Sequence, residues 1–263
     1  MLFRSKAIYE GFLAHLWTKN SGRLLWMSHP AWPSNIWQLY SWDYDMSAAY
    51  FGAKEANRPL HVQLNLPDNK LVVLNTTRDD HKGMTVETRV VGLDNAPLFA
   101  RIDHVDALAD RATDLAPVPL APVLDTHGMA LVELTLKDTD GKEVDRNFYW
   151  RGKDQAAYRA LDGLAQAPLA MSVAPPVRDG DDTLIRVSLA NHGAVPALEA
   201  KLTLVDKAGE RILPAFYADN YVSLLPGESR TIAIRYAAST PADGPQVELR
   251  GWNVAPQTEK AGE

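Results

Sequence analysis

The sequence predicts a mainly β protein, in which two antiparallel β-sandwiches of about immunoglobulin size follow a short segment of mixed helix and strand. Two observations predict the sandwiches: apolar and polar residues alternate after Pro59, and turn pairs such as Asp140-Gly141 separate the alternating runs. A third observation sets the N-terminal segment apart, because it shows helical spacing and one continuous apolar run. We therefore expect an N-terminal segment over 1–57, a sandwich over 58–155, a linker over 156–167, a second sandwich over 168–255 and a disordered tail over 256–263.

The N-terminal segment has the pattern of helix, buried strand, loop and helix, which amounts to one and a half βα units. A helix is predicted over 6–19, because apolar residues recur there at three- and four-residue spacings and gather on one side. These residues are Ile8, Phe12, Leu13, Leu16 and Trp17. The apolar run at 24–27 predicts a strand buried on both faces. Prolines place 28–45 in a loop, and 46–56 returns to helical character.

Both sandwiches are predicted from short alternating runs. In the first, the run from Leu60 to Leu66 is typical of a half-buried strand, and helix signals are almost absent. The linker is rich in small residues and is expected to be irregular or briefly helical. The predicted strands are 60–66, 71–74, 84–93, 98–102, 129–136 and 144–150 in the first sandwich, and 169–174, 183–190, 198–206, 222–225, 231–236 and 246–252 in the second.

Composition excludes several classes of function. The 263 residues carry 23% charged and 46% apolar side chains, as in an ordinary globular protein. A net charge of −6 argues against a nucleic-acid partner, and no apolar run is long enough to cross a membrane. The absence of cysteine excludes disulfides and thiolate chemistry and leaves the cellular compartment open. The first residues have no signal-peptide pattern, so any export signal would lie upstream.

Tryptophan is the most informative residue type. Five of the seven tryptophans lie between Trp17 and Trp42. In one interpretation Trp26 and Trp32, with Trp37 or Trp42, line a sugar-binding pocket, because an aromatic ring covers the C–H face of a pyranose. In the other, these rings pack in the interior between a barrel strand and its covering helices. A position at the end of a barrel strand favours a site for Trp26 and Trp32, whereas helical spacing favours the core for Trp17.

Polar candidates for chemistry are few. His29 follows the predicted strand inside the aromatic loop and is a candidate for bonding a substrate hydroxyl. Asp43 and Asp45 adjoin a helix start, where Asp45 or Ser47 is the expected N-cap, so capping is favoured over acid–base catalysis. Glu10 is not expected to be a nucleophile. The histidines lack metal-ligand spacing and no nucleotide-binding motif is present, so we expect no metal and no cofactor.

Residues 22–65 resemble the end of the catalytic barrel of glycoside hydrolase family 2, in its exo-β-D-glucosaminidase and β-mannosidase branch. The resemblance rests on a Trp-Met strand, on Trp37-Gln38-Leu39-Tyr40 in the following loop, on the helix at 49–56 and on Pro59-Leu60-His61. The second sandwich resembles the C-terminal immunoglobulin-like domain of exo-β-D-glucosaminidases, in LPAFYADNYVSLLPGES and in RGWN. The resemblance covers nearly the whole chain.

This resemblance implies the last βα unit of a (β/α)8 TIM barrel, followed by two immunoglobulin-like β-sandwiches. It implies a retaining exo-β-glycosidase acting on a terminal β-linked glucosamine, mannose or galactose, with a carbohydrate as its partner and no membrane or nucleic acid. Both catalytic carboxylates would lie upstream of Met1, so we expect no catalytic residue and no activity in this chain. Trp26, Trp32 and His29 are the expected substrate-binding residues.

A second hypothesis is a non-catalytic carbohydrate-binding or structural β-sandwich module. It requires an exposed row of aromatic side chains on one sheet. The candidates in the two sandwiches are Tyr149, Trp150, Tyr217, Tyr221 and Trp252.

Overall fold

The chain folds into two compact units in a computed structural model that describes residues 2–34, 38–240 and 242–262. The first unit comprises Met1–Trp26 and Gly52–Gly163, and the second comprises Met27–Phe51 and Leu164–Glu263. Each unit is built around an antiparallel β-sandwich, which confirms the predicted mainly β fold class.

The sandwich of the first unit contains seven strands and is preceded by helix α1 (Leu2–Leu13). One sheet has the order β1-β2-β5 and the other β4-β3-β6-β7, and every neighbouring pair is antiparallel. The strands are β1 (Leu60–Leu64), β2 (Lys70–Asn75), β3 (His81–Val91), β4 (Pro97–Ala107), β5 (Arg111–Pro117), β6 (Met129–Lys137) and β7 (Glu143–Gly152). Helix α2 (Ala48–Ala56) runs up to β1, and a 3₁₀ helix (Ala156–Gly163) follows β7.

The core of this sandwich lies between its two sheets. Alternate residues of a strand point to the same face, so Val62 and Leu64 of β1 meet Val132 and Leu134 of β6 across the gap. Further members of the core are Leu71, Val73, Val86, Val90, Leu136 and Tyr149. Close packing of these side chains makes the sandwich a rigid base for the elements attached to it.

Two elements of this unit were missed in the sequence. Helix α3 (Leu120–His127) lies between β5 and β6 and buries Leu120 and Leu124. Gly128 follows it with a φ of 73°, and its N–H donates to the Leu124 carbonyl, a left-handed ending that favours glycine. Strand β5 was missed because its sequence, RATDLAP, is polar and does not alternate.

Helix α1 buries a more polar face than the one predicted. The buried positions are Lys6, Glu10 and Leu13, which follow a helical spacing of four and three residues. Ile8 and Phe12, expected in the core, are exposed. The apolar spacing was therefore only partly informative: Leu13 packs against Val72 and Leu74, whereas Lys6 and Glu10 face polar partners.

Strand β1 explains why α1 buries polar side chains. The sequence predicted a half-buried strand, yet four of its five residues, including both His61 and Gln63, are buried. Its apolar residues face the sandwich core, and its polar residues face α1: Gln63 Nε2 donates to the Glu10 carbonyl oxygen at 2.9 Å. The polar residues of β1 therefore form a second packed surface, which faces α1.

The predicted strand at 24–27 is not formed. The described backbone there has no regular structure, and Leu24 is fully exposed. A strand exists through the hydrogen bonds of its neighbours, and no described strand pairs with this segment. Helix α1 also ends earlier than predicted, at Leu13.

The sandwich of the second unit has nine strands. One sheet runs β12-β14-β10-β8 with β9 beside β10, and the other runs β13-β11-β15-β16. The strands are β8 (Leu169–Val173), β9 (Val177–Asp179), β10 (Asp182–Asn191), β11 (Ala197–Val205), β12 (Ala215–Tyr217), β13 (Val222–Leu224), β14 (Ser229–Ala237), β15 (Gln246–Arg250) and β16 (Gln257–Lys260). The apolar members of each alternation are buried, such as Val187, Leu202 and Ile234.

Strand β16 corrects the expectation of a disordered tail over 256–263. Its four residues pair with β15 in the register Gln246↔Lys260 to Leu249↔Gln257. The side chain of Gln257 also donates to the Leu169 carbonyl oxygen at 2.8 Å. A polar segment of this kind carries no sequence signal, because its order comes from backbone pairing with an available edge.

No helix among the described residues is long and apolar enough to cross a membrane.

The facing sheets predict the effect of a core deletion. Leu134→Ala removes a fully buried side chain and should lower the free energy of unfolding by about 2–5 kcal/mol, from lost transfer free energy and the cavity left behind. Ile102→Ala on β4 of the same sheet is the control, because Ile102 is 62% exposed, and should change stability by less than about 0.5 kcal/mol. Urea unfolding followed by circular dichroism measures both, and equal effects would contradict the assignment of the core.

Candidate functional site

The aromatic loop at 27–51 belongs to the second unit and is folded back on itself by backbone hydrogen bonds. The amides of Leu39 and Tyr40 both donate to the Ser28 carbonyl oxygen at 3.1 Å. The amide of Trp42 donates to the Ser34 carbonyl oxygen at 3.3 Å. These bonds bring the beginning of the loop next to its end, although the described residues of the loop form no strand or helix before α2.

His29 is held in a defined orientation within this loop. Its Nε2 lies 3.0 Å from the Trp42 carbonyl oxygen, and its ring stacks on Tyr44 with centroids 4.4 Å apart and planes 18° from parallel. Because a carbonyl oxygen only accepts, Nε2 carries a proton, and in the neutral ring Nδ1 is then an acceptor. The fixed ring can therefore accept a hydrogen bond from a hydroxyl.

The tryptophans predicted to bind substrate are strongly exposed. Trp26, in the first unit, is 81% exposed, and Trp32, in the second unit, is 57% exposed. The interior packing that was the alternative for these rings is not observed within either unit. Trp42 is also exposed, whereas Trp37 lies outside the described residues. The predicted roles of Trp26, Trp32 and His29 in binding stay predictions.

Asp43 and Asp45 anchor the loop to the second sandwich. The Arg211 guanidinium donates to both: Nη1 lies 3.0 Å from Asp45 Oδ2, and Nη2 binds Asp43 Oδ2. Ser41 Oγ donates to the other oxygen of Asp43. Although partial burial opposes ionisation, the Ser41 and Arg211 contacts hold the pKa of Asp43 below its ordinary value.

The predicted capping role of these carboxylates is therefore replaced by an ion pair. Ser47 occupies the position before α2, but its hydroxyl donates to the Leu39 carbonyl oxygen at 2.9 Å. A guanidinium that bridges two carboxylates offers more contact than either helix amide, because both of its nitrogens are engaged. Two carboxylates that share one guanidinium in this way are unsuited to act as acid and base.

The Arg211 contacts predict a change in loop stability. Arg211→Ala should increase the rate of chymotrypsin cleavage after the aromatic residues of 27–51 roughly fivefold, because two charge-assisted contacts are lost. Arg250→Ala is the matched control, since that side chain makes only an exposed pair with Glu248 at 3.5 Å. Peptide mapping of the digests locates the cuts. Identical cleavage rates in the two variants would show that Arg211 does not hold the loop.

The first unit contains a buried network of polar side chains, which the sequence did not predict. It joins α1 and β1 to β7 through Glu10, His61 and Asp145. His61 Nδ1 lies 2.8 Å from Asp145 Oδ2, and His61 Nε2 lies 3.3 Å from Glu10 Oε1. All three side chains are buried, so the imidazole is enclosed between two carboxylates.

Neutral and cationic groups complete the network. Glu10 Oε1 accepts hydrogen bonds from Asn147 Nδ2 at 2.7 Å and from the Tyr149 hydroxyl at 2.9 Å. Lys6 Nζ donates to Asn147 Oδ1 at 2.8 Å, and Arg58 Nη1 donates to Asp145 Oδ1 at 2.7 Å. Buried charge is tolerated here because each carboxylate faces a cation or several donors.

Electrostatics favour the charged form of His61. Complete burial alone would lower its pKa, but Asp145 and Glu10 overcome that penalty and raise it from an ordinary 6.5 to about 9. Burial likewise opposes ionisation of Asp145, yet His61 and Arg58 hold its pKa below the ordinary value. Burial beside Glu10 raises the pKa of Tyr149 well above its usual range, so its hydroxyl stays protonated and donates.

The raised pKa of His61 predicts a pH dependence. Because the folded chain binds this proton more tightly than the unfolded chain, protonation stabilises the fold fully below pH 6.5, and the contribution is lost as pH rises through about 9. Imidazole resonances followed by NMR should include one that titrates near pH 9 and is absent in His61→Gln. His104→Gln, on exposed β4, should retain it. A His61 resonance that titrates below pH 7 would contradict the arrangement.

This network cannot serve as an active site in the observed structure. His61 and Asp145 have no exposed side-chain surface, so no substrate reaches them. Among the described residues, no group of three His, Asp or Glu side chains could hold a metal ion. The network therefore holds α1 on the sandwich. The one available sequence signal was the polar half of the alternation in β1, and nothing in the sequence connected it to Glu10 or to β7.

The aromatic row required by the second hypothesis is not formed by its five candidates. Tyr149 and Tyr217 are buried, and their hydroxyls accept the amide N–H groups of Leu64 at 3.0 Å and Leu204 at 2.8 Å. Trp150 and Tyr221 are partly buried, and Trp252 is exposed. Two of the five are therefore structural residues of the two cores.

Two family models match the chain. Residues 147–254 match the exo-β-D-glucosaminidase Ig-fold domain, and residues 69–153 match the mannosidase Ig/CBM-like domain. Each sandwich is similar to one of these immunoglobulin-fold domains over most of its residues. This confirms the resemblance to the exo-β-D-glucosaminidase and β-mannosidase branch.

Whole-chain relatives agree with these family matches. Exo-β-D-glucosaminidases from Amycolatopsis orientalis and Streptomyces avermitilis are 35% and 32% identical over 91% and 90% of this chain. The crystal structure of the Amycolatopsis orientalis exo-chitosanase CsxA matches 99% of the chain with a TM-score of 0.89 at 29% identity. The chain spans only 25% and 29% of the length of those two relatives and 34% of the solved chain.

Proposed function

We propose that this chain is the C-terminal part of a retaining exo-β-glycosidase that removes terminal β-linked glucosamine. The observation that carries the proposal is the match of 99% of the chain, at a TM-score of 0.89, to about a third of an exo-chitosanase. The names of the two bacterial relatives favour glucosamine over mannose or galactose. A mannosylglycoprotein endo-β-mannosidase from Lilium longiflorum is also similar, at 25% identity over 95% of the chain.

The roles proposed for the parts of the chain follow the domain boundaries predicted from the sequence. Residues 1–57 are the last βα unit of the catalytic barrel, and the sandwiches over 58–155 and 168–255 brace it. Support comes from α1, which is fastened to the first sandwich by the buried Glu10 network. Further support comes from Arg211, which fastens the aromatic loop to the second sandwich. These two attachments hold α1 and the aromatic loop in place. The loop has little regular structure of its own.

Within the intact enzyme, Trp26, Trp32 and His29 are proposed to form part of the wall that holds the terminal sugar. The exposed indoles offer flat apolar surface to the C–H face of a pyranose. His29, with its proton on Nε2, offers Nδ1 to a sugar hydroxyl. None of these groups breaks the glycosidic bond, which requires a pair of carboxylates.

We also propose that this chain by itself does not hydrolyse glycosides. Of the carboxylates considered in the described residues, Asp43 and Asp45 are bound to Arg211, and Glu10 and Asp145 are buried. Hydrolysis then depends on carboxylates that other parts of the enzyme supply.

A chimera tests this function. The matching C-terminal region of the Amycolatopsis orientalis enzyme is replaced by this chain, and hydrolysis of aryl β-glucosaminide, β-mannoside and β-galactoside is measured. We expect the chimera to hydrolyse the glucosaminide and the chain alone to hydrolyse none. Turnover by the chain alone, or a folded chimera without glucosaminidase activity, would overturn the proposal.

Substitution of Trp26 tests the sugar-binding wall in the same chimera. Trp26→Ala should lower kcat/KM roughly tenfold, because one stacking surface is lost. Trp252→Ala, which also removes an exposed indole, should leave kcat/KM unchanged. Equal effects of the two substitutions would remove Trp26 from the proposed wall.

A further inference from the structure

Trp17 was expected in the core, and instead its indole is 55% exposed on the first unit. The ring is nevertheless held in place, because Nε1 donates to Asp110 Oδ1 at 3.1 Å. The two residues come from distant parts of the chain, the turn after α1 and the turn between β4 and β5. An exposed aromatic face is thus presented in one fixed orientation.

Both partners have left-handed backbones, with φ of 67° at Trp17 and 53° at Asp110. This conformation is unfavourable for a bulky residue such as tryptophan, whereas glycine or asparagine adopts it readily. The turn after α1 therefore has no need of tryptophan for its own geometry. A function for the ring outside the turn accounts for its presence.

The ring lies on the wall of a groove of about 690 Å³, a volume within the range of small-ligand sites. The opposite wall comes from the sheet β1-β2-β5 and its turns, and most of its side chains are polar. Those used below are Asp68, Lys70, Asp110, Arg111 and Asp114. All of these residues belong to the first unit.

The charges of the groove favour a cationic ligand. The groove contains the carboxylates of Asp68, Asp110 and Asp114 and only two cations, Lys70 and Arg111. Lys70 is already paired, since its Nζ lies 3.4 Å from Asp114 Oδ2. Hydrogen bonds from the Lys70 amide and from Asn65 hold the pKa of Asp68 below its ordinary value. The chain as a whole also carries a net charge of −6. An anionic ligand such as a phosphate or nucleic acid would be repelled.

We propose that this groove is a non-catalytic binding site for a chain of β-linked glucosamine. The Trp17 indole covers the C–H face of one sugar, the carboxylates of Asp68 and Asp110 attract the ammonium groups, and Lys70 and Arg111 donate to hydroxyls. The identity of the sugar rests on the proposed function, whereas the existence of the site does not. The groove would hold polymer through residues other than those proposed for the terminal sugar.

Binding is tested on this chain without any catalysis. A glucosamine oligomer is titrated into the protein and the dissociation constant is measured by calorimetry at low and high salt. Wild type should bind, and Trp17→Ala should weaken binding roughly tenfold, as expected for one lost stacking surface. Asp110→Asn should weaken it as well, and added salt should do the same because exposed charges are screened. Trp252→Ala is the matched control and should bind like wild type.

A second ligand separates charge from shape. A cellulose oligomer has the same β-linked backbone with hydroxyls in place of the ammonium groups, and it should bind more weakly than the glucosamine oligomer. Equal binding of the two oligomers would overturn the charge argument. An affinity unchanged by Trp17→Ala, or no binding by wild type, would overturn the site.

Two further comparisons keep the test decisive. If Trp17→Ala does not fold, as judged by circular dichroism, Trp17→Phe retains a ring and should bind better than Trp17→Leu. Hydrolysis by the chimera is an independent result: binding by this chain with an inactive chimera would refute the proposed function alone. An active chimera whose C-terminal part does not bind the oligomer would refute this site alone.

Discussion

The imidazole of His61, enclosed between Glu10 and Asp145, is the contact on which the first unit depends. It lies where helix α1 meets β1 of one sheet and β7 of the other sheet. Removal of either carboxylate would leave a buried charge without its partner, which costs more than loss of an ordinary surface contact. The network therefore specifies how the helix attaches, which apolar contact alone would leave less defined.

Two different attachments serve two different segments. Helix α1 is held by buried charges and hydrogen bonds, because Asn147 and Tyr149 donate to Glu10 and Lys6 donates to Asn147. The aromatic loop at 27–51 is held by Arg211, which is partly exposed and therefore contributes less free energy. The firmer attachment belongs to the regular element, and the weaker one to the loop that carries Trp32 and His29.

The exposed aromatics fall into two kinds. Trp26 and Trp32 present strongly exposed indoles, which suits a surface that other parts of a larger enzyme complete. Trp17 is exposed and yet fixed by Asp110, which suits a platform complete within the first unit. The same residue type thus supports two separate proposals, one for the terminal sugar and one for a polymer chain.

The sequence by itself determined the mainly β class, most strands of both sandwiches and the resemblance to exo-β-D-glucosaminidases, because alternation, turn pairs and motifs are local. Only the tertiary structure decided which face of α1 is buried. The partners of Glu10 lie 51 to 139 residues away, and no local pattern carries that information. The same reason explains Asp43 and Asp45, which pair with Arg211 instead of capping a helix, and strand β16, whose order comes from the edge of β15. Local sequence patterns determine which helices and strands form. Contacts between residues far apart in the chain determine how those helices and strands pack against one another.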